Sequence, residues 1–307
     1  MSDGKKAKTE MRNAKSDNLH QFTTLEIIEL MNEEDASVAG VVKIALPSIE
    51  KVINEVVTVI RNGGKLFYFG AGTSGRLGVL DASECPPTFG VAAELVNGVI
   101  AGGDQALRYP IEGAEDRQEL GAEDVRKHVS ARDMVIGIAS SGRTPYVLGA
   151  MEAANEIGAK TAGISCNTNA PLSKIVTYPI ELPVGPEVVT GSTRLKAGTA
   201  QKMVLNMITT ASMVKLGKVY RNLMVNVQAS NEKLRKRTVS IIQELTGVSE
   251  DVAGRYSEQA QGDARVAVLM ILLKVDGERA KQMLEEKDGD FVAVMEDGGQ
   301  DRGQARA

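Results

Sequence analysis

The chain contains no tryptophan, and aromatic residues make up only 4% of its 307 positions. So little aromatic surface speaks against a protein whose work is stacking nucleic-acid bases. Two histidines, His20 and His128, leave little from which to build a His-based metal site. Cys85 and Cys166 are the only cysteines. They lack metal-ligand spacing, no histidine lies near either in sequence, and a chain of this size needs no disulfide. Both read as packed thiols rather than nucleophiles. The net charge is −4 and the body of the chain carries no basic block, which excludes a duplex-binding surface. The longest clean apolar run, Val266 to Leu273, falls far short of the ~20 residues that a bilayer span needs. Lys5, Lys6, Lys8, Arg12 and Lys15 are interleaved with polar residues and no apolar core follows, so this stretch is neither signal peptide nor anchor. What remains is a soluble, cytoplasmic chain with no nucleic-acid or membrane partner.

What is present is an ordinary globular composition, 43% hydrophobic and 25% charged, with 31 glycines. Residues 1–21 are polar and read as a flexible segment. Thr23 and Glu26 then stand at capping-box spacing, and Val41, Ile44, Val52, Val56 and Ile60 recur at helical steps until Asn62-Gly63-Gly64. Strand-like runs follow at Leu66–Phe69, Leu95–Ile100, Met134–Ile138, Thr161–Ser165 and Tyr178–Leu182, with helical stretches between several of them. Alternating strands and helices predict an α/β fold, a three-layer sandwich whose parallel sheet is covered on both faces. A long amphipathic helix spans Thr199–Leu216, its Met203, Met207 and Met213 spaced for a core or a subunit seam. The expected organisation is a main domain over 22–235, a small helical domain over 236–296 and a disordered tail from 297 to 307.

Two strand-to-helix turns share one chemistry. Thr73-Ser74-Gly75-Arg76 follows the first strand, and Ser140-Ser141-Gly142-Arg143 follows the third. A further cluster, Thr190-Gly191-Ser192-Thr193-Arg194, precedes the long helix. Each can set hydroxyls and unpaired backbone N–H groups at a helix N-terminus, where an anion is favoured. Thr73, Ser74, Gly75, Ser140, Ser141, Thr144, Ser192 and Thr193 are therefore the candidate phosphate-binding residues. Gly70 to Gly75 also matches the dinucleotide fingerprint G-x-G-x-x-G. The acidic residue that should end the next strand is missing, however: Glu94 precedes that strand and Asp104 comes late. A second hydroxyl turn has no task in a dinucleotide site, and no Gly-Lys-Ser/Thr P-loop occurs. A compact phosphomonoester suits the pair better.

Among forty acidic residues, two have unusual settings. Glu84 lies in Asp81-Ala82-Ser83-Glu84-Cys85-Pro86-Pro87, and Glu115 lies in Glu112-Gly113-Ala114-Glu115-Asp116. Taken with Ser141–Val147 (SGRTPYV) and Glu187–Lys202 (EVVTGSTRLKAGTAQK), Gly70–Pro87 (GAGTSGRLGVLDASECPP) resembles the N-acetylmuramic acid 6-phosphate etherases, lyases built on a sugar isomerase (SIS) domain. The resemblance runs from Thr9 to Leu234 and weakens beyond about Arg235.

The resemblance implies a SIS fold with a small C-terminal helical domain and no cofactor or metal. The implied reaction removes D-lactate from C3 of the phosphorylated sugar and adds water. On matching positions Glu84 is the implied proton donor and Glu115 the second catalytic carboxylate. The SIS resemblance and the long helix together imply a homodimer. Three positions depart from the family pattern: Ser140 stands where Ala is expected, Arg221 where Gly is, and Asn226 where Asp is. The rival readings are a regulatory protein that senses a sugar phosphate without catalysis, and a nicotinamide-linked oxidoreductase.

Overall fold

A computed structural model describes residues 7–226 and 232–304. Helices α1 (Thr24–Ala36) and α2 (Val38–Arg61) lead into strand β1 (Leu66–Gly70) and helix α3 (Gly72–Phe89). Then come β2 (Val96–Ile100), α4 (Gln118–His128), β3 (Met134–Ile138), α5 (Pro145–Ile157), β4 (Lys160–Ser165), α6 (Pro171–Ile175), β5 (Tyr178–Glu181) and α7 (Lys196–Lys215). All five strands are parallel, in the order β2-β1-β3-β4-β5. Each lies within a residue or two of its sequence-predicted run. Every residue of β1 and β3 is buried, as a sheet covered on both faces requires. On one face Phe67, Phe69 and Val135 pack with Tyr146, Met151 and Leu172 from the α5 and α6 side. The opposite face meets α2, and Tyr68 lies against Gly78 of α3.

The capping box at Thr23 is formed in full: its hydroxyl accepts from Glu26 N–H while the Glu26 carboxylate accepts from Thr23 N–H at 2.7 Å. Residues 7–21, whose polarity suggested a loose segment, instead lie in three short 3-10 turns. Polar bonding holds them, beside the buried Ala7. Thr9 is fully buried, its N–H donates to Asn167 Oδ1 and its hydroxyl accepts from Asn167 Nδ2 at 3.1 Å. Asn13 donates to Glu34 at 3.0 Å.

Two compact units divide the chain: Met1–Ser83 with Glu94–Thr210, and Glu84–Ala93 with Ala211–Ala307. The second unit carries α8 (Glu232–Thr246), α9 (Glu250–Gln259), α10 (Ala264–Leu273), α11 (Gly277–Glu285) and α12 (Phe291–Gln304). These pack around Ile242, Val268, Leu269 and Phe291, and the edge of the Phe291 ring meets Tyr220 at 5.4 Å between centroids. Helix α12 runs into the Gly- and Asp-rich stretch expected to fray.

Two of the three departures from the family pattern acquire a physical setting in this unit. Arg221 adopts φ +55°, a conformation that glycine enters without cost, and its guanidinium lies 5.8 Å from the Tyr220 ring centroid. The Asn226 amide donates to the Phe89 carbonyl, which an ionised Asp there could not do.

In the first unit, Lys196 is almost wholly buried and pairs with Glu34, which also accepts from the half-exposed Lys15 at 3.2 Å. Burial alone would raise the Glu34 pKa, but the hydrogen bonds from Lys196 and Lys15 outweigh it and hold the carboxyl below the ordinary range. A lowered folded-state pKa contributes stability above the ordinary carboxylate value that is lost as pH falls through the lowered one. Glu34→Gln strands the buried ammonium and should cost ~3–5 kcal/mol. Lys196→Met leaves Glu34 with Lys15 and should cost less. Urea denaturation of both variants between pH 3 and 7 checks the order, and equal losses would refute it.

Candidate active site

The strand order places β1 and β3 side by side, with Gly70 opposite Ile138. From β1 the chain moves to one edge of the sheet, and from β3 to the other. A crevice forms at such a reversal, beyond the carboxyl ends of the strands, and ligands of open α/β sheets bind there. Both hydroxyl turns open onto it.

Each turn depends on a glycine. A Cβ on Gly70 would fall 2.7 Å from Gly75 N, and one on Gly75 would fall 2.7 Å from Gly70 O, so strand end and helix start meet backbone to backbone. Gly142 has φ +66°, and a Cβ there would sit 2.4 Å from Ala170 Cβ. These contacts aim the first-turn N–H groups of α3, which have no acceptor within the helix, at the crevice. The second turn leads into α5 through Pro145, which has no N–H to satisfy. The next N–H, of Tyr146, donates to Glu115 O at 3.0 Å and fixes the Glu115 backbone beside the turn.

The crevice is a cavity of about 450 Å³. Of the eight candidate phosphate-binding residues, six line it: Thr73, Ser74, Ser140, Ser141, Thr144 and Thr193. Gly75 is buried in the turn beneath, and Ser192 lies outside the lining. Glu115 forms part of the wall. Its carboxylate has no hydrogen-bond or ion-pair partner among the described residues. Glu84 is exposed, further along α3, and lines no part of this cavity. A second cavity of about 380 Å³ shares Ala71, Gly72 and Glu115 with the first.

Three site residues escaped the sequence reading. Glu10 and Asp116 also line the first cavity. Glu10 is carried there by the bonded N-terminal segment, which no periodicity announces. The third is Gln201, fully buried on α7. Ser74 Oγ donates to Gln201 Oε1 at 3.0 Å, and Gln201 Nε2 donates to Ser140 Oγ at 3.0 Å. One amide thus joins the two turns. With Ser140 accepting from Gln201, its own O–H stays available to the cavity, whereas the Ser74 proton is committed to the amide. Ser140, a departure from the family pattern, therefore adds a donor where Ala would have none. The available signal for Gln201 was its place among Ala197, Ala200, Val204, Leu205 and Ile208, the buried positions of α7, where a lone amide needs polar partners.

Helix α7 is itself fixed by the buried Glu187, whose carboxylate accepts from Lys196 N–H at 3.1 Å and Ala197 N–H at 2.9 Å. Burial raises the Glu187 pKa, and these two N–H bonds and the Lys196 charge pull against that rise. Elsewhere burial pushes the Cys166 thiol far up, which leaves it inert as a nucleophile. Strand β2 ends at Ile100 and is followed by Ala101-Gly102-Gly103, with no carboxylate at its tip to hold a ribose. Among the described residues no group of His, Cys, Asp and Glu side chains is placed to hold a metal, and no helix is long and apolar enough to cross a membrane.

Comparison with known proteins supplies the family. The SIS domain family matches residues 108–211, and the family described as the glucokinase regulatory protein N-terminal SIS domain matches residues 48–155. The chain is 54% identical over 282 residues to the N-acetylmuramic acid 6-phosphate etherase of Geobacillus sp. (strain WCH70), covering 92% of this chain and 96% of that one. It is 52% identical to that of Halalkalibacterium halodurans, covering 94% and 96%. It is 53% identical to that of Histophilus somni, covering 90% and 91%. With a SIS-type parallel sheet, paired hydroxyl turns at its reversal and identity of this extent along the chain, the protein belongs to the N-acetylmuramic acid 6-phosphate etherase family.

Proposed function

We propose that this protein is a cytoplasmic lyase that cleaves the D-lactyl ether of N-acetylmuramic acid 6-phosphate, giving N-acetylglucosamine 6-phosphate and D-lactate. The observation that carries this reading is the near full-length identity to etherases. The cavity supports it, with hydroxyl donors from two helix starts and an unpartnered carboxylate in its wall. A purely regulatory sugar-phosphate sensor would need the hydroxyls but not the carboxylate, and the regulatory-protein family matches only residues 48–155.

The chemistry follows from the sugar. Ring opening exposes an aldehyde at C1 and acidifies the proton at C2. A carboxylate removes that proton, and an acid protonates the ether oxygen at C3 as lactate leaves. Water then adds across the double bond, its oxygen at C3 and its hydrogen at C2. A base and an acid suffice, each worth ~10²–10⁴-fold. Glu115 is the proposed base, supported by its place in the wall. Glu84 is the proposed acid, supported by the family motif rather than by the cavity. In deuterated water Glu84→Gln should still exchange the C2 proton while releasing little lactate, and Glu115→Gln should do neither. Both should lose at least ~10²-fold in lactate release. Exchange that survives only in Glu115→Gln would reverse the roles, and a wild-type protein that releases no D-lactate would end the etherase reading.

The phosphate is assigned to the two turns and the cluster before α7: the N–H groups at the start of α3, the hydroxyls of Thr73, Ser140, Ser141 and Thr144, and that of Thr193. Losing one donor to a charged acceptor costs ~1.5–3 kcal/mol, so Ser141→Ala should raise KM at least tenfold with kcat little changed. Gln201→Leu should raise KM through both turns at once, and in a Ser140→Ala background only the part transmitted through Ser74 should remain. A Ser141→Ala enzyme with wild-type KM would remove the second turn from the phosphate site.

The functional unit is proposed to be a homodimer. Leu25 and Ile28 on α1 and Leu46 on α2 are exposed, and Ile44 of α2 is 83% exposed. Burying them against a second copy should cover more than ~1,000 Å². Sedimentation at micromolar concentration should give a dimer that Ile44→Asp dissociates, whereas a wild-type monomer refutes the proposal.

A further inference from the structure

The second cavity adjoins the first along Ala71, Gly72 and Glu115 and differs from it in character. Its wall is largely apolar, built by Ala101, Ala106, Ile111 and Ala114, with Arg76 set into it. The Arg76 guanidinium is held rigidly: Nε donates to Leu107 O at 3.1 Å and Nη2 to Ala106 O at 2.8 Å. Two of its five N–H donors are thereby used, and three remain. Among the described residues no carboxylate pairs with it, although Glu112 and Glu115 line the same cavity. A pre-oriented, half-buried guanidinium beside an apolar wall suits a short organic carboxylate, taking its charge by hydrogen bonds and its carbon skeleton by contact.

The substrate carries such a group on the side of the sugar away from its phosphate. The C6 phosphate hangs from C5, and the C3 ether, with C4 between, diverges from it next to C2, the carbon that loses its proton. Glu115, the proposed base at C2, stands in the wall that both cavities share, so a ligand whose phosphate sits between the turns brings C3, the carbon bonded to C2, to the mouth of the second cavity. On the etherase reading, on which this inference rests, we propose that this cavity is the lactyl subsite. Arg76 receives the lactyl carboxylate, and Ala106, Ile111 and Ala114 receive its methyl group. The subsite distinguishes substrate from product, because the product has a hydroxyl at C3 and nothing to place there. Arg76 is thus a specificity residue for the acid that leaves.

The test compares three ligands: N-acetylmuramic acid 6-phosphate, the same compound with its lactyl carboxylate converted to the amide, and N-acetylglucosamine 6-phosphate as an inhibitor. For the wild type the amide should show a KM at least tenfold above that of the acid, because charge-assisted bonds are lost. Arg76→Lys keeps the charge but not the fork. It should raise KM for the acid at least tenfold while leaving the amide KM and the product inhibition constant unchanged. If Arg76 only staples the Ala106–Leu107 turn, all three constants weaken together, and the proposal is overturned. Should Arg76→Lys fail to fold, the wild-type comparison decides, and equal KM values for acid and amide overturn the proposal. A wild type that accepts neither sugar phosphate would instead overturn the etherase reading beneath it.

Discussion

Glu187 has no exposed surface, and its carboxylate takes up the first two backbone N–H groups of α7. Those bonds set where the helix begins, and so which of its residues face the sheet. One turn further on, that register delivers Gln201 to the gap between the two hydroxyl turns. Were α7 rotated by a single residue, about 100°, the amide would leave the gap and both serines would lose their partner. The cavity is thus determined by a helix start that does not line it. A buried carboxylate can be held there because its acceptor capacity is filled by N–H groups that would otherwise be unsatisfied.

Much of the fold was legible because parallel strands buried on both faces read as short apolar runs bounded by glycine-rich turns. β1, β3 and β4 were found in that way, and the partly buried edge strands β2 and β5 as short runs in the same alternation with helices. The paired turns were legible for a related reason: a phosphate cradle needs hydroxyls and glycines adjacent in sequence. What could not be read is what meets across space. Nothing in the sequence around Thr9 or Glu10 announces a contact with Asn167 or a place in the cavity wall, because hydrogen bonds between distant polar residues leave no periodic trace. Gln201 was visible only as an amide among buried aliphatic positions. The helical unit was found in outline, but its grouping with Glu84–Ala93 depends on contacts that no local pattern encodes.

The departures from the family pattern differ in kind. Ser140 enters a hydrogen-bond chain with Gln201 and changes what the cavity offers a ligand. Asn226 supplies a donor that an ionised Asp could not. Arg221 holds a backbone conformation suited to glycine, beside the aromatic ring of Tyr220. Only the first touches the proposed chemistry.

The Thr9–Asn167 pair has a consequence for the order in which the protein is made. The two residues are separated by 158 positions, and Asn167 also donates to the carbonyl of Ser140. During synthesis the earliest described segment waits without its partner while β1, α3, β2 and β3 are produced, since domains assemble as their chain emerges. Only when the stretch after β4 has left the ribosome can Thr9 dock, bring Glu10 to the cavity and tie down the second turn. The Glu10 wall of the pocket thus cannot be placed until Asn167, 158 positions after Thr9, has been made.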